Sequence, residues 1–327
     1  MSGPSSDKGV NPTRLPSLTR RVDSCVADRF VVELVGPTAG AVTPGPSGTR
    51  RTEKRSMINM HEINRQWWDA AADRWRDLRE RDGLWRTCPH EPEVAFEGEA
   101  LGLIQRYLEP LEGKDVCVIG SGDNYAAFAL AGLGARVTSA DISQRQLEIA
   151  AERAECLGLE IAFIRADAAH LSELEDRQFD LVTSTNGFFV WISDPGAVFS
   201  AVYRVLRPNG FYVFYDIHPC LRPWRDEGGQ VRMTAPYWFR GPVERSSESD
   251  GYEFHWTLSD LVNPLLETGF QLRRIAESRP RSARFYQDHS YEPSDDDEVM
   301  DWRTNPLFGL PAWLTIAAHK PLTRQFS

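Results

Sequence analysis

The chain has 327 residues, of which 41% are hydrophobic and 26% are charged, a composition typical of a folded protein with a sizeable core. Its 37 basic and 47 acidic residues give a formal charge of −10, which argues against a nucleic-acid partner because phosphates are repelled. The five cysteines are scattered and form no CxxC pair, so neither a disulfide framework nor a metal site is predicted, and a reducing, cytoplasmic setting is expected.

The net charge has opposite signs before and after the boundary at Met57. Residues 1–56 carry nine basic and five acidic residues and are rich in Ser, Pro, Gly and Thr, which predicts a disordered N-terminal extension with a charge of +4. A true translation start at Met57 or Met60 is an alternative explanation of this segment. Residues 57–327 carry a charge of −14 and all ten tryptophans, so we expect the function to lie there.

Residues 57–110 are predicted to form a helical cap. A helix from Asn59 to about Arg79 is indicated by apolar side chains at spacings of four and three, namely Ile63, Trp67, Ala71, Trp75 and Leu78. A second helix is predicted from Gly98 to Leu108. The first helix either packs on the main domain or forms a lid over a ligand, and in the second case Trp68 is a candidate ligand contact.

Strands and helices then alternate. The predicted strands are Asp115–Ile119, Arg136–Ala140, Ile161–Arg165, Phe179–Ser184 and Phe211–Tyr215. The predicted helices are Tyr125–Leu133, Ser143–Leu157 and Pro195–Leu206. Nearly continuous apolar strands in strict alternation with helices predict a doubly wound α/β fold whose parallel sheet is covered on both faces.

The alternation breaks after Asp216. A helix (Ser259–Glu267) and two strands (Gln271–Ala276 and Ala312–His319) are predicted among two irregular insertions, at about 217–257 and 278–311. The insertions are rich in aromatic residues, which form a small core of their own, an acceptor pocket or a homodimer interface. The acidic run from Asp295 to Glu298 is predicted to be a solvated loop.

A glycine-rich turn follows the first strand. Its sequence is Gly120-Ser121-Gly122-Asp123-Asn124, in which the two glycines permit a sharp turn close to a ligand and Asn124 tolerates a positive φ. Similar turns bind nicotinamide and flavin cofactors, so the turn alone does not identify the ligand.

Two acidic residues indicate more specifically which ligand the turn binds. Asp141 ends the second strand, where its carboxylate is placed to accept both hydroxyls of a ribose. Asp167 follows the third strand and is placed to accept from an adenine amino group. Ala168 then offers a backbone donor, and Ile142 offers an apolar face to the ring.

These residues resemble the class I S-adenosylmethionine-dependent methyltransferases, in particular their small-molecule, type 11 branch. The resemblance covers roughly Trp67 to Lys320 and also rests on three further strings of sequence, namely FDLV at 179–182, YRVLRPNG at 203–210 and WWDAAADRW at 67–75. It implies a Rossmann-like domain over 111–327, a seven-stranded sheet of order 3-2-1-4-5-7-6 with an antiparallel last strand, and S-adenosyl-L-methionine as cofactor.

Two positions depart from the family's pattern. Val118 stands where the family usually has an acidic residue, and Asn124 replaces the third glycine. Asp123 is the candidate substitute for the missing acid at the methionine end. A nicotinamide dehydrogenase is disfavoured because Tyr125 occupies the last glycine position of its fingerprint and because Asp123 would repel a pyrophosphate.

Methyl transfer to a hydroxyl or an amine is assisted by a base near the methyl group. His218, just after the fifth strand, is the first candidate base, His255 is the second and Tyr125 the third; each also has a purely structural interpretation. Asn186, after the fourth strand, is predicted to line the methyl end of the cofactor. Methyltransferases that act on amide or base nitrogens carry prolines after the asparagine at this position. Those prolines are absent after Asn186, so methylation of amide or base nitrogens is disfavoured.

We therefore expect an S-adenosylmethionine-dependent methyltransferase that transfers a methyl group to an oxygen or nitrogen of a small molecule. The alternatives are a macromolecular methyltransferase for protein or RNA and a non-catalytic S-adenosylmethionine-binding regulator. The acceptor is a planar or apolar molecule, an amine, or an anion recognised by residues such as Arg222 and Arg225. No membrane or nucleic-acid partner is expected, and no metal.

Overall fold

The computed structural model describes residues 50–226, 230–244, 251–282, 285–286 and 299–322. Residues 1–49 of the predicted extension and the acidic run at 295–298 lie outside these ranges. No helix among the described residues is long and apolar enough to cross a membrane.

The cap consists of two helices joined by short 3-10 turns. Helix α1 (Arg50–Asp82) begins nine residues before its predicted start, and α2 (Ala100–Leu108) lies within the predicted range. The turns between them cover Leu84–Arg86 and Pro92–Ala95.

The elements of the main domain follow the predicted order closely. The helices are α3 (Tyr125–Gly132), α4 (Gln144–Leu157), α5 (Pro195–Val205) and α6 (Leu258–Glu267). The strands before the insertions are β1 (Asp115–Ile119), β2 (Arg136–Asp141), β3 (Ile161–Arg165), β4 (Phe179–Ser184) and β5 (Leu206–Ile217). The first insertion contains β6 (Trp224–Asp226), β7 (Val231–Met233), β8 (Val243–Glu244) and β9 (Tyr252–Glu253), and the last two strands are β10 (Gln271–Ser278) and β11 (Trp313–His319).

Seven strands form one sheet in the order β3-β2-β1-β4-β5-β11-β10. The pairs among the first five strands are parallel, whereas β11 is antiparallel to both β5 and β10. The predicted order, with one antiparallel strand inserted beside the fifth, is confirmed.

Alternate residues of the central strands enter two separate cores. Val116 and Val118 of β1 pack with the cap, α2 and α3 on one face, while Cys117 and Ile119 pack with α5 and α6 on the other. This period of two is what a sheet covered on both faces requires.

The first insertion is more ordered than predicted. It contains two short antiparallel hairpins, β6–β7 and β8–β9. Strands of two or three residues are too short to show apolar alternation, which explains why the sequence indicated only loops. Asn64 of α1 holds this insertion to the cap, since its side chain accepts from Tyr252 N (2.7 Å) and donates to Tyr252 O (3.0 Å).

Candidate functional site

The glycine-rich turn after β1 has the predicted backbone. Gly120, Gly122 and Asn124 have φ values of 54°, 47° and 63°, and α3 begins directly afterwards. A Cβ atom on Gly122 would meet nothing within 4 Å, so the chain there borders open space. At Gly120 a Cβ would lie 2.3 Å from the Phe188 ring. The turn therefore lets a ligand approach the backbone at Gly122 and is closed by Phe188 at Gly120.

Asp141 organises the turn at the end of β2. Its carboxylate accepts from Gly122 N (2.9 Å) and from Ser143 N (2.9 Å), while Ser143 Oγ caps α4 by accepting from Gln146 N (3.2 Å). Burial raises the pKa of Asp141, and the backbone N–H donors offset this only in part. A buried carboxylate at this edge is placed to accept further hydrogen bonds from a ligand.

Asp167, after β3, is linked to the cap by a residue that the sequence analysis missed. His61 Nδ1 of α1 lies 3.0 Å from Asp167 Oδ2, and His61 Nε2 lies 2.7 Å from Ser193 Oγ. Burial of Asp167 raises its pKa, but the hydrogen bonds from His61 and Ala169 N outweigh that effect and lower it below the ordinary value. The helical period places His61 on α1 but does not reveal its partner 106 residues away.

A second link joins the cap to the glycine-rich turn. Arg79 Nε of α1 lies 2.6 Å from Asp123 Oδ2, and Arg79 Nη1 lies 3.2 Å from Asp82 Oδ2. Although burial opposes it, the charge of Asp123 raises the pKa of the Arg79 guanidinium. Val118, the position without the expected acid, is buried inside the sheet. Besides Asp141, the charged side chains beside the turn are therefore Asp123 and Arg79 of the cap.

One cavity of about 1110 Å³ joins these groups to the insertions. Every predicted cofactor-binding residue lines it, namely Gly120, Ser121, Gly122, Asp123, Asn124, Asp141, Ile142, Asp167, Ala168, Asn186 and Trp68. Trp191 stacks on Trp67 (ring centroids 4.9 Å apart) and meets Trp68 edge-on (5.2 Å), so an indole cluster forms part of the wall. The lid interpretation of α1 agrees with this arrangement.

The loop that carries Asn186 is fixed by a buried carboxylate. Asp216, near the end of β5, accepts from Gly187 N (3.1 Å), Phe189 N (2.9 Å) and Ile217 N (2.7 Å). Asn186 itself is exposed to the cavity. Its side chain is therefore free to face a ligand while its backbone is held.

The three candidate bases lie in different surroundings. His218 is buried and is not among the described residues that line the cavity; its Nε2 is 2.9 Å from Glu277 Oε1, and Cys220 N donates to its Nδ1. Tyr125 lines the cavity, but its hydroxyl donates to Asp82, and burial followed by the charge of Asp123 raises its pKa. Neither placement supports proton removal near Asn186.

His255 is also buried away from the described cavity wall. Burial, followed by the charges of Arg222 and Arg225, lowers its pKa to about 3. The group is therefore neutral at physiological pH and remains so in the folded protein under mildly acidic conditions.

This buried histidine is expected to make folding stability depend on pH. Below its ordinary pKa of 6.5 the imidazole is protonated in the unfolded chain but not in the folded one, so stability falls as the pH drops from about 6.5 towards 3. We expect His255 to account for about 2 kcal/mol of lost stability between pH 8 and pH 5. Urea unfolding of His255→Gln at both pH values should show this loss removed, whereas exposed His90→Gln should behave as wild type; equal losses in all three proteins would contradict the assignment.

No group of three or more metal-binding side chains occurs among the described residues, and four described cysteines are unpaired.

Comparisons with known proteins agree with this geometry. Residues 117–214 match a family model described as "Methyltransferase domain". A ubiquinone biosynthesis O-methyltransferase of Alkalilimnicola ehrlichii is 28% identical over 52% of this chain and 63% of its own length, and one of Idiomarina loihiensis is 26% identical over 54% and 68%. The chain thus spans roughly two thirds of these curated relatives, and less than two thirds of the first.

The fold is also similar to that of a methyltransferase of known structure. An S-adenosylmethionine-dependent methyltransferase from Mesorhizobium loti superposes with a TM-score of 0.51 at 21% identity, covering 68% of this chain and 98% of that one. Residues 117–214 therefore match a methyltransferase domain, and the fold, with its sheet order, is that of an S-adenosylmethionine-dependent methyltransferase of known structure.

Proposed function

We propose that this protein transfers the methyl group of S-adenosylmethionine to an oxygen or nitrogen atom of a small molecule. The observation that carries the proposal is the continuous cavity, which joins the glycine-rich turn, Asp141 and Asp167 to an aromatic region beyond Asn186. One cavity therefore has room for both a cofactor and an acceptor. Alignment of the acceptor with the reacting carbon is the main requirement for this reaction.

The residues present fit the cofactor. Asp141 is the proposed acceptor for the ribose hydroxyls and Asp167 for the adenine amino group, and the open space beside Gly122 supports a close approach of the ligand to the backbone. When bound, the cofactor supplies an electrophilic methyl group on a sulfonium. In place of the missing acid at Val118, Asp123 is the proposed partner of the methionine ammonium and Arg79 that of its carboxylate.

Replacing Arg79 with glutamine is expected to weaken S-adenosylhomocysteine binding about tenfold, since one charge-assisted contact is lost. Calorimetric titration measures this directly. Arg76→Gln is the matched control because Arg76 lies on the same helix but pairs with Asp73 and Asp77. Equal affinities in the two variants would remove Arg79 from the site.

A small acceptor is favoured over a macromolecule. The −14 charge of residues 57–327 disfavours RNA, and the cavity is roofed by α1 and its indole cluster. An oxygen acceptor is supported by the names of the relatives from Alkalilimnicola ehrlichii and Idiomarina loihiensis. The cytoplasmic setting stays a prediction from the scattered cysteines.

The proposal is tested in two steps. Calorimetry should show binding of both S-adenosylmethionine and S-adenosylhomocysteine, and absence of both would overturn it. A metabolite-extract screen with methyl-labelled cofactor should then place label in a small molecule. Label found only in protein or RNA would support the macromolecular alternative, and binding without any transfer would support a regulator.

A further inference from the structure

Two arginines of the first insertion line the cavity. Arg222 lies in the turn before β6 and Arg225 lies within β6, and both side chains are only partly buried. Among the described residues, Arg222 Nε, Arg222 Nη1 and Arg225 Nη2 have no hydrogen-bond partner, yet none of these three nitrogens is buried from solvent, in contrast to Arg225 Nε. Accessible guanidinium N–H groups without a partner are donors that a ligand can reach.

The two arginines, called the arginine pair below, are fixed next to each other. Arg225 Nη1 donates to Arg222 O (2.9 Å) and to Trp224 O, which holds one guanidinium against the backbone that carries the other. Arg222 Nη2 lies 3.5 Å from Asp216 Oδ1, at the outer limit of a hydrogen bond. Each arginine is thus positioned through one nitrogen and keeps at least one accessible N–H group.

Nearby carboxylates do not cancel the positive charge of the pair. Asp216 already accepts from three backbone N–H groups. Burial is the main cause that lowers the pKa of Arg225 to about 10, and repulsion from Arg222 adds to it more than the charge of Glu253 offsets. After burial, the charges of both arginines also lower the pKa of His255. A net positive potential therefore remains around the pair.

The arginine pair is close to the predicted methyl end of the cofactor. Asp216 Oδ1 accepts from Gly187 N (3.1 Å), and the same oxygen lies 3.5 Å from Arg222 Nη2. Gly187 follows Asn186, which is predicted to line the methyl end, and all but Asp216 line the cavity. One carboxylate therefore separates Arg222 from the loop beside which the acceptor atom must lie.

The chemistry of the pair indicates which group it binds. A guanidinium only donates hydrogen bonds and is positively charged, so its ligand must accept and is favoured when it is an anion. An amine does not meet this requirement. A phosphate would bring a second negative charge towards Asp216 and Glu253, so a carboxylate fits better. Trp224 also lines the cavity and offers an apolar surface to the rest of the molecule.

On this basis, and resting on the proposed methyltransferase function, we propose that the methyl acceptor is a carboxylic acid whose carboxylate binds to Arg222 and Arg225 while a different oxygen or nitrogen of the same molecule is methylated beside Asn186. The arginine pair determines specificity: it orients the acceptor and discriminates against uncharged molecules of the same shape. It takes no part in bond making. Because the carboxylate is not the methylated group, the product is still an acid.

Binding of two acids and their amides tests the proposal. Benzoate, benzamide, 2-naphthoate and 2-naphthamide are titrated into the protein by calorimetry, with and without saturating S-adenosylhomocysteine. Wild type is expected to bind at least one acid about tenfold more tightly than its amide, since the two differ in charge but hardly in size. Arg222→Gln should reduce that preference to about twofold, and Arg222→Lys, which keeps the charge but loses the planar fork, should have an intermediate preference.

Controls separate this effect from misfolding. Arg232 is an exposed arginine of the same insertion, it donates to Gln230 Oε1 (2.6 Å), and it is not among the described residues that line the cavity. Arg232→Gln should therefore retain the wild-type preference. Affinity for S-adenosylhomocysteine should be unchanged in all three variants. Added salt should reduce the wild-type preference, because it screens the charge of the acid and leaves the amide unaffected.

The labelled product of the metabolite-extract screen gives an independent test. It is expected to contain a free carboxylate, so treatment with acidic methanol should convert it to a methyl ester that mass spectrometry detects. A labelled small molecule without a free carboxylate, including one methylated on the carboxylate itself, would overturn the inference.

The binding outcomes are distinct as well. Failure of both acids to bind, equal affinities for each acid and its amide in wild type, or a preference unaffected by Arg222→Gln would each overturn the inference. Failure of wild type to bind S-adenosylhomocysteine would overturn the proposed function instead, and the titrations without that ligand would still report on the arginine pair.

Discussion

Replacement of Asp141 by alanine is expected to weaken S-adenosylhomocysteine binding by about 3 kcal/mol, or more than a hundredfold. Two effects add. The variant loses a buried carboxylate placed to accept from both ribose hydroxyls, and it frees Gly122 N, which that carboxylate holds at 2.9 Å. The turn that borders the ligand would then lose its anchor. Calorimetric titration at fixed salt measures the loss.

The control must separate ligand binding from general destabilisation, since Asp141 also accepts from Ser143 N at the start of α4. Asp194 has a comparable backbone role away from the cavity, where it caps α5 by accepting from Ala197 N (3.1 Å). Asp194→Ala should lower stability by about 1 kcal/mol and leave the affinity for S-adenosylhomocysteine unchanged. Wild-type affinity in Asp141→Ala would show that the ribose is bound elsewhere.

The fold was largely predictable because its signals are local. Strands β1, β3 and β4 have their predicted bounds, since continuous apolar runs between turn residues are short-range patterns. Strand β5 differs: it begins at Leu206, five residues before the predicted start at Phe211, and its pairing with β4 shifts register between these two residues. A register shift of this kind depends on the neighbouring strand and cannot be derived from one segment alone.

The candidate site likewise contains residues that the sequence predicted and residues that it missed. Strand ends indicated Asp141 and Asp167, because the sheet edge follows from the alternation. The same logic placed His218 at that edge, but its ring contacts Glu277 of β10, a direction that depends on tertiary packing. His61 and Arg79 come from the cap, and no local pattern in the sequence reveals how the cap docks on the domain.

The cap is therefore part of the site rather than an accessory to it. It brings His61 to Asp167 and Arg79 to Asp123, at two separate points of the predicted cofactor position. Any change that moves the cap should disturb cofactor binding, which makes the packing of the cap on α3 a sensitive position.

Replacing Gly132 with alanine is expected to destabilise the protein by about 3 kcal/mol, because the new Cβ would lie 2.1 Å from Pro89 O and 2.6 Å from Pro89 Cα. Both atoms belong to the backbone of the cap, so no side-chain rotation relieves the clash. The cap segment that contains Pro89 must shift away from the last residue of α3. Urea unfolding measures the lost stability.

Gly102 provides the opposite case in the same part of the molecule. It lies inside α2, and a Cβ there would meet nothing within 4 Å. Gly102→Ala should therefore stabilise the protein by about 0.5–1 kcal/mol, since alanine restricts the unfolded chain without a new contact. If cap position governs cofactor binding, Gly132→Ala should also weaken S-adenosylhomocysteine binding, while Gly102→Ala should retain the wild-type affinity. Equal stability of the two variants would mean that the cap does not pack on α3 as closely as the Pro89 contact requires.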